Sequence, residues 1–219
     1  MTNIDQDGGG AMRDDLLQRI ELMEAMIADA KMSTVRCGWI FVLWGLVDLV
    51  AMSWQNFFPH SNFAGFWAWP ICLVFGAVAT LLGVTLQKRG RVKAKVPAVR
   101  CVEGVWGMMG VGLSIYIACA MVRHLTWQYS YLAGILVIVG MAHAISAVIL
   151  RWRVQGVVAA IWWLGAIAMF FVPPHFVPTE QRAVNAIMFV EMVLCMVVFG
   201  LYVMALERRT PKAPMQLQA

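Results

Sequence analysis

A polar opening of more than thirty residues is followed by six long apolar runs with short polar connections between them. Read with a window of about 19 residues, the runs are Gly38–Phe58, Phe66–Leu86, Val102–Val122, Tyr131–Leu150, Val154–Val172 and Ala183–Leu206. Each is close to the ~20 residues that a helix rising about 1.5 Å per residue needs to cross a hydrocarbon core of ~30 Å. Lipid offers backbone groups no hydrogen-bond partners, so runs of this kind are expected to be helical. Only Arg151, Trp152 and Arg153 separate the fourth and fifth runs, which predicts a tight hairpin there. The pattern thus predicts an all-α polytopic membrane protein of six transmembrane helices arranged as three hairpins. Residues 1–36 form an N-terminal arm, 37–207 the transmembrane domain and 208–219 a tail.

The arm has a pattern of its own. Leu16, Ile20, Met23 and Ile27 recur at helical spacing and make an apolar stripe. The opposite face sets Asp14, Asp15, Glu21, Glu24 and Asp29 against Arg13, Arg19 and Lys31. A helix made for anionic lipid would be rich in Lys and Arg, and this one leans acidic. It is expected to pack on the ends of the bundle, to pair with a second copy, or to offer a docking face. The plainer alternative is a helix that merely leads into the first span.

Composition strengthens the membrane reading. Apolar residues make up 61% of the chain, charged residues 13%, and the mean hydropathy is +0.73. A soluble domain has roughly 45–50% apolar and about 25% charged residues. The net charge of +5 does not point to nucleic acid, because the cations sit at the ends of apolar runs. Lys31 and Arg36 precede the first run. Lys88, Arg89, Arg91, Lys93, Lys95 and Arg100 join the second to the third, Arg151 and Arg153 the fourth to the fifth, and Arg208, Arg209 and Lys212 follow the sixth. The other three connections hold only Arg123 and Arg182. The positive-inside rule places both termini in the cytoplasm, and Trp54, Trp67, Trp69, Trp127 and Tyr129 then fall at the outer interface. The polar, acidic start is not that of a cleavable signal peptide. Cys37, Cys72, Cys101, Cys119 and Cys195 have no metal-ligand spacing, and no disulfide is expected.

A weak repeat runs through the odd spans: Leu43-Trp44-Gly45, Val105-Trp106-Gly107 and Trp162-Trp163-Leu164-Gly165. It suggests hairpins related by an axis along the membrane normal. In the third span Gly104, Gly107 and Gly110 share one face, a packing face that a neighbouring backbone can approach closely. That helix is expected in the interior. With Leu22–Ile27 in the arm, Phe41–Gly45, Val105–Gly107, Tyr131–Ile149 and Trp162-Trp163, the chain resembles an uncharacterised bacterial family of six-helix integral membrane proteins with a Leu-Trp-Gly motif in the first span. The resemblance implies topology and no activity.

Few residues could carry chemistry. Glu103 lies at the edge of its span and can snorkel to water. From the inner boundaries, His143 lies about 10 Å deep, Asp48 about 15 Å and Glu191 about 22 Å. Ionisable residues at such depth cost several kcal/mol and point to a function. They could form a proton or cation path, or an intramembrane polar network that fixes helix register. His60, His124 and His175 fall in the three outward connections, where imidazoles brought to one mouth could bind Zn²⁺ or Cu²⁺. His143 has no partner histidine at its depth for haem, and no cofactor is expected. The sixteen methionines fit adaptable apolar filler better than copper transport. Nucleophile elbows, P-loops and dinucleotide-binding turns are absent. The expected protein is therefore not an enzyme. It is a small inner-membrane protein that senses, scaffolds or assists a partner, in contact with the lipid bilayer and not with nucleic acid. The alternative is a small transporter or proton/cation channel using Asp48, His143 and Glu191.

Overall fold

The computed structural model describes residues 7–35, 37–57, 62–88, 97–122, 129–171 and 178–209. These are helical throughout apart from the turns around Cys37 and Leu150–Trp152, and none of them is in a strand. The arm is α1 (Asp7–Val35). The spans are α2 (Gly38–Phe57), α3 (Asn62–Lys88), α4 (Pro97–Val122), α5 (Tyr129–Ile149) and α6 (Arg153–Phe171). The last span is one uninterrupted run of α7 (Pro178–Glu191), a π-helical segment (Met192–Val198) and α8 (Phe199–Arg209). Among the described residues six helices are long and apolar enough to cross a membrane, in the places the apolar runs predict. The consecutive hairpin partners α2 and α3, α4 and α5, and α6 and α7 all pack together.

The interior is built from α2, the α5–α6 pair and the last span, which α2 and α6 both contact. Phe41, Leu136, Trp152, Trp162, Met192, Phe199 and Val203 lie in its main cluster. Helix α6 turns one continuous stripe inward: Gln155, Val158, Ala159, Trp162, Gly165, Ala166 and Met169. Glycine lets helix backbones close on one another at the α2–α8 crossing. A Cβ on Gly200 would stand 2.9 Å from both the Gly38 carbonyl oxygen and the Val42 nitrogen. Elsewhere glycine receives an aromatic ring, as where Trp44 lies over Gly76 and Trp163 over Gly140. The outer faces suit lipid, with Val74, Phe75, Val78, Leu81, Leu82 and Leu86 of α3 all exposed.

The hairpin between α5 and α6 closes with a Schellman arrangement. The Trp152 amide donates to the Ala147 carbonyl at 2.9 Å and the Arg151 amide to that of Val148 at 3.3 Å. Arg151 takes the left-handed position usually given to glycine, with φ 46°. Trp152 then folds back into the core.

One expectation is corrected. Helix α4 is not interior: its buried described residues are Val99, Val102 and Ala120. Gly104, Gly107, Gly110 and Gly112 are exposed, and a Cβ on any of them would meet nothing within 4 Å among the described residues. Packing of α4 on α5 instead runs along another edge, where Trp106 and Met109 join the core. The Trp-Gly text of the odd spans likewise meets three different surroundings. Gly45 abuts Met196 and Val197, Gly107 faces open space, and Gly165 faces Glu191.

Candidate functional site

Helical periodicity and the packing of α5, α6 and the last span bury a set of polar groups. His143 and Ser146, three residues apart on α5, fall on one face, and neither is exposed at all. Gln155, equally buried, starts the inward stripe of α6. Trp162 follows two turns on, and Glu191, 3% exposed, faces α6 from the end of α7. Among the described residues, both His143 nitrogens, Ser146 Oγ, the Gln155 amide, Trp162 Nε1 and both Glu191 carboxylate oxygens have no hydrogen-bond partner. A buried polar group left unpaired costs about 1–3 kcal/mol, so such a set is not what packing alone would select.

His143 sits in an aromatic cage. Trp106 of α4 stands edge-on at 4.9 Å between ring centroids, with Phe41 of α2 and Phe199 of α8 each at 5.6 Å. Phe199 also contacts the Trp152 ring, and Lys31 of the arm lies 5.4 Å above that ring as a cation–π partner. The rings thus join the inner end of the arm to the centre of the bundle.

Glu191 is accommodated by Gly165. A side chain at position 165 would overlap the Glu191 carboxylate, so glycine here makes room for the acid. The helix turns π-helical immediately after Glu191, a distortion that often accompanies function. Within the distorted segment the Cys195 thiol donates a long bond, 4.0 Å, to the Val158 carbonyl. Asp48 shares the inward stripe of α2 with Phe41, Gly45 and Met52 and is half-buried. Among the described residues no hydrogen bond or ion pair joins Asp48, His143 and Glu191 to one another. The groove of about 360 Å³ lined by Leu46, Leu49, Val50, Ser53 and Trp54 includes none of these polar groups.

The arm divides in two. Towards its inner end Ala30 is buried and Lys31 is held over Trp152, where α1 packs on α4 and α8. Further out, Leu16, Leu17, Ile20, Leu22 and Met23 are between 50% and 61% exposed, while Ile27 is half-buried. Arg19 is paired with Asp15 at 2.9 Å, one turn apart on its surface.

His60, His124 and His175 lie outside the described residues. Among the described residues no group of three His, Cys, Asp or Glu side chains could hold a metal ion, and none of the five cysteines is in a disulfide. Ser146 and Gln155 were not singled out from the sequence, and Gly165 was noted there only as part of the Trp-Gly text. A glutamine and a serine within apolar spans were visible signals, whereas the pairing of Gly165 with Glu191 depends on two separate helices. The chain matches no protein-family model, no curated protein and no solved structure.

Proposed function

We propose that this chain is a non-enzymatic accessory or scaffolding protein of the bacterial inner membrane, with both termini in the cytoplasm and the arm as its handle. The observation that carries the reading is the uncovered apolar face of α1. Four large apolar side chains, Leu16, Leu17, Ile20 and Met23, stand half or more exposed along one side of a helix whose inner end is fixed to the bundle. Lipid explains the exposed apolar faces of the spans. It does not explain this one, since the flanking polar face carries more acid than base. Apolar patches of this kind mark interaction sites.

A photo-crosslinking amino acid at position 20, with the full chain in its membrane, tests the handle. Protein adducts at position 20 that are missing from the same probe at Gln18 are the expected result. Equal adduct formation at both positions, or none at either, would remove it.

Transport is the second reading, favoured by unpartnered Glu191 beside the π-helical segment and by His143. Liposomes holding the protein should then dissipate an imposed pH gradient, and Glu191→Gln should slow the decay. Gradients as stable as in empty liposomes would eliminate this reading.

A further inference from the structure

We infer that the occupant of the arm's exposed face is a second copy of this chain, joined through a short parallel two-stranded coiled coil. The inference rests on the reading of α1 as a handle and names what the handle grips. Leu16, Ile20, Met23 and Ile27 are spaced four, three and four residues apart. That is the alternating d, a, d, a order of a heptad seam. It puts Ile20 and Ile27 at a, with Leu16 and Met23 at d. β-branched Ile at a with Leu at d favours two parallel strands, and here Ile20 and Ile27 hold a, Leu16 holds d and the apolar Met23 holds the second d. The first three seam residues are the exposed ones, and Leu17 at e widens the apolar strip beside them.

Charge selects the partner. In this register Arg19 occupies g and Glu24 occupies the following e, and both are exposed. In a parallel pair, g of one helix meets the next e of its partner. Arg19 of one copy therefore meets Glu24 of the other, and twofold symmetry makes the pair twice. A strongly acidic or basic partner would not match a flank that carries both signs. Arg19 is held meanwhile by an exposed i,i+4 pair with Asp15, weak enough to exchange. Two heptads alone associate feebly. Copies confined to one bilayer with the same orientation, however, meet at a high effective concentration. Anchoring of Ala30 and Lys31 on the bundle fixes where each arm emerges.

The test uses the full-length protein in lipid nanodiscs or liposomes. Ile20→Cys should give a symmetric disulfide-linked dimer under mild oxidation, and Gln18→Cys, on the far side of the helix, should not. Arg19→Glu or Glu24→Arg alone should weaken dimerisation on the order of two- to thirtyfold, since each removes two exposed pairs. The double exchange Arg19→Glu with Glu24→Arg should restore it, a recovery that general damage to the helix cannot mimic. Cross-linking that is equal at positions 18 and 20, or a double exchange no better than the singles, would overturn the second-copy assignment. If position 20 gives adducts with other proteins but no self-dimer, the handle stands and the second copy falls. No adduct of either kind defeats both.

Discussion

Replacing Gly200 with alanine should loosen the bundle where α2 and α8 cross. The added methyl would stand 2.7 Å from Val42 Cγ2 and 2.9 Å from both the Gly38 carbonyl oxygen and the Val42 nitrogen. A valine methyl can rotate aside, but two backbone atoms cannot, so α2 and α8 must move apart. Overpacking of this kind costs typically 1–3 kcal/mol. With backbone opposing the methyl, about 2–3 kcal/mol is expected here. Gly38→Ala meets Val203 Cγ1 at 2.8 Å and the Gly200 carbonyl oxygen at 3.1 Å, so it opens the same gap. The double substitution should then cost less than the two singles added together, by more than the ~0.5 kcal/mol expected of independent sites. Gly107→Ala is the internal control: its Cβ meets nothing within 4 Å, and helix propensity favours alanine by up to ~1 kcal/mol. Reversible unfolding by an anionic detergent in mixed micelles, followed by helical circular dichroism, measures all four variants. The reasoning is refuted if Gly200→Ala stays within about 0.5 kcal/mol of the parent, or if Gly107→Ala is as damaging.

Two further substitutions probe the site and the hairpin. Gly165→Ala should displace the Glu191 carboxylate and destabilise the fold by roughly 1–3 kcal/mol. In a Glu191→Ala background it should cost little, and additive effects in the same detergent titration would contradict the pairing of the two residues. Arg151→Gly should stabilise the α5–α6 turn by about 1 kcal/mol, because a non-glycine residue in the left-handed region carries a strain of that order; a destabilised variant would show that the guanidinium matters more than the backbone.

The positions of the spans could be read in the chain because they depend on one variable, the length of an apolar run. The turn at Arg151 was equally legible, since three residues leave no room for anything longer. What escaped depends on pairs of helices. Gly104, Gly107 and Gly110 say that a backbone can approach α4, not that one does, and in the structure they face outward. The π-helical segment Met192–Val198 holds neither glycine nor proline to announce it. Its place opposite Gly45 is visible only once α2 and the last span are side by side. Asp48, His143 and Glu191 were legible as costly residues in lipid. The aromatic cage around His143, drawn from α2, α4 and α8, was not.

The central claim, that the arm's apolar face is covered in the membrane, is tested most directly by thiol labelling of Ile20→Cys and Gln18→Cys in sealed inside-out vesicles. A bulky maleimide should modify Gln18→Cys readily in vesicles and in dilute detergent alike. It should modify Ile20→Cys slowly in vesicles and readily only after dilution into detergent. Equal, rapid labelling of both positions in vesicles would show an arm that grips nothing, and would contradict the account.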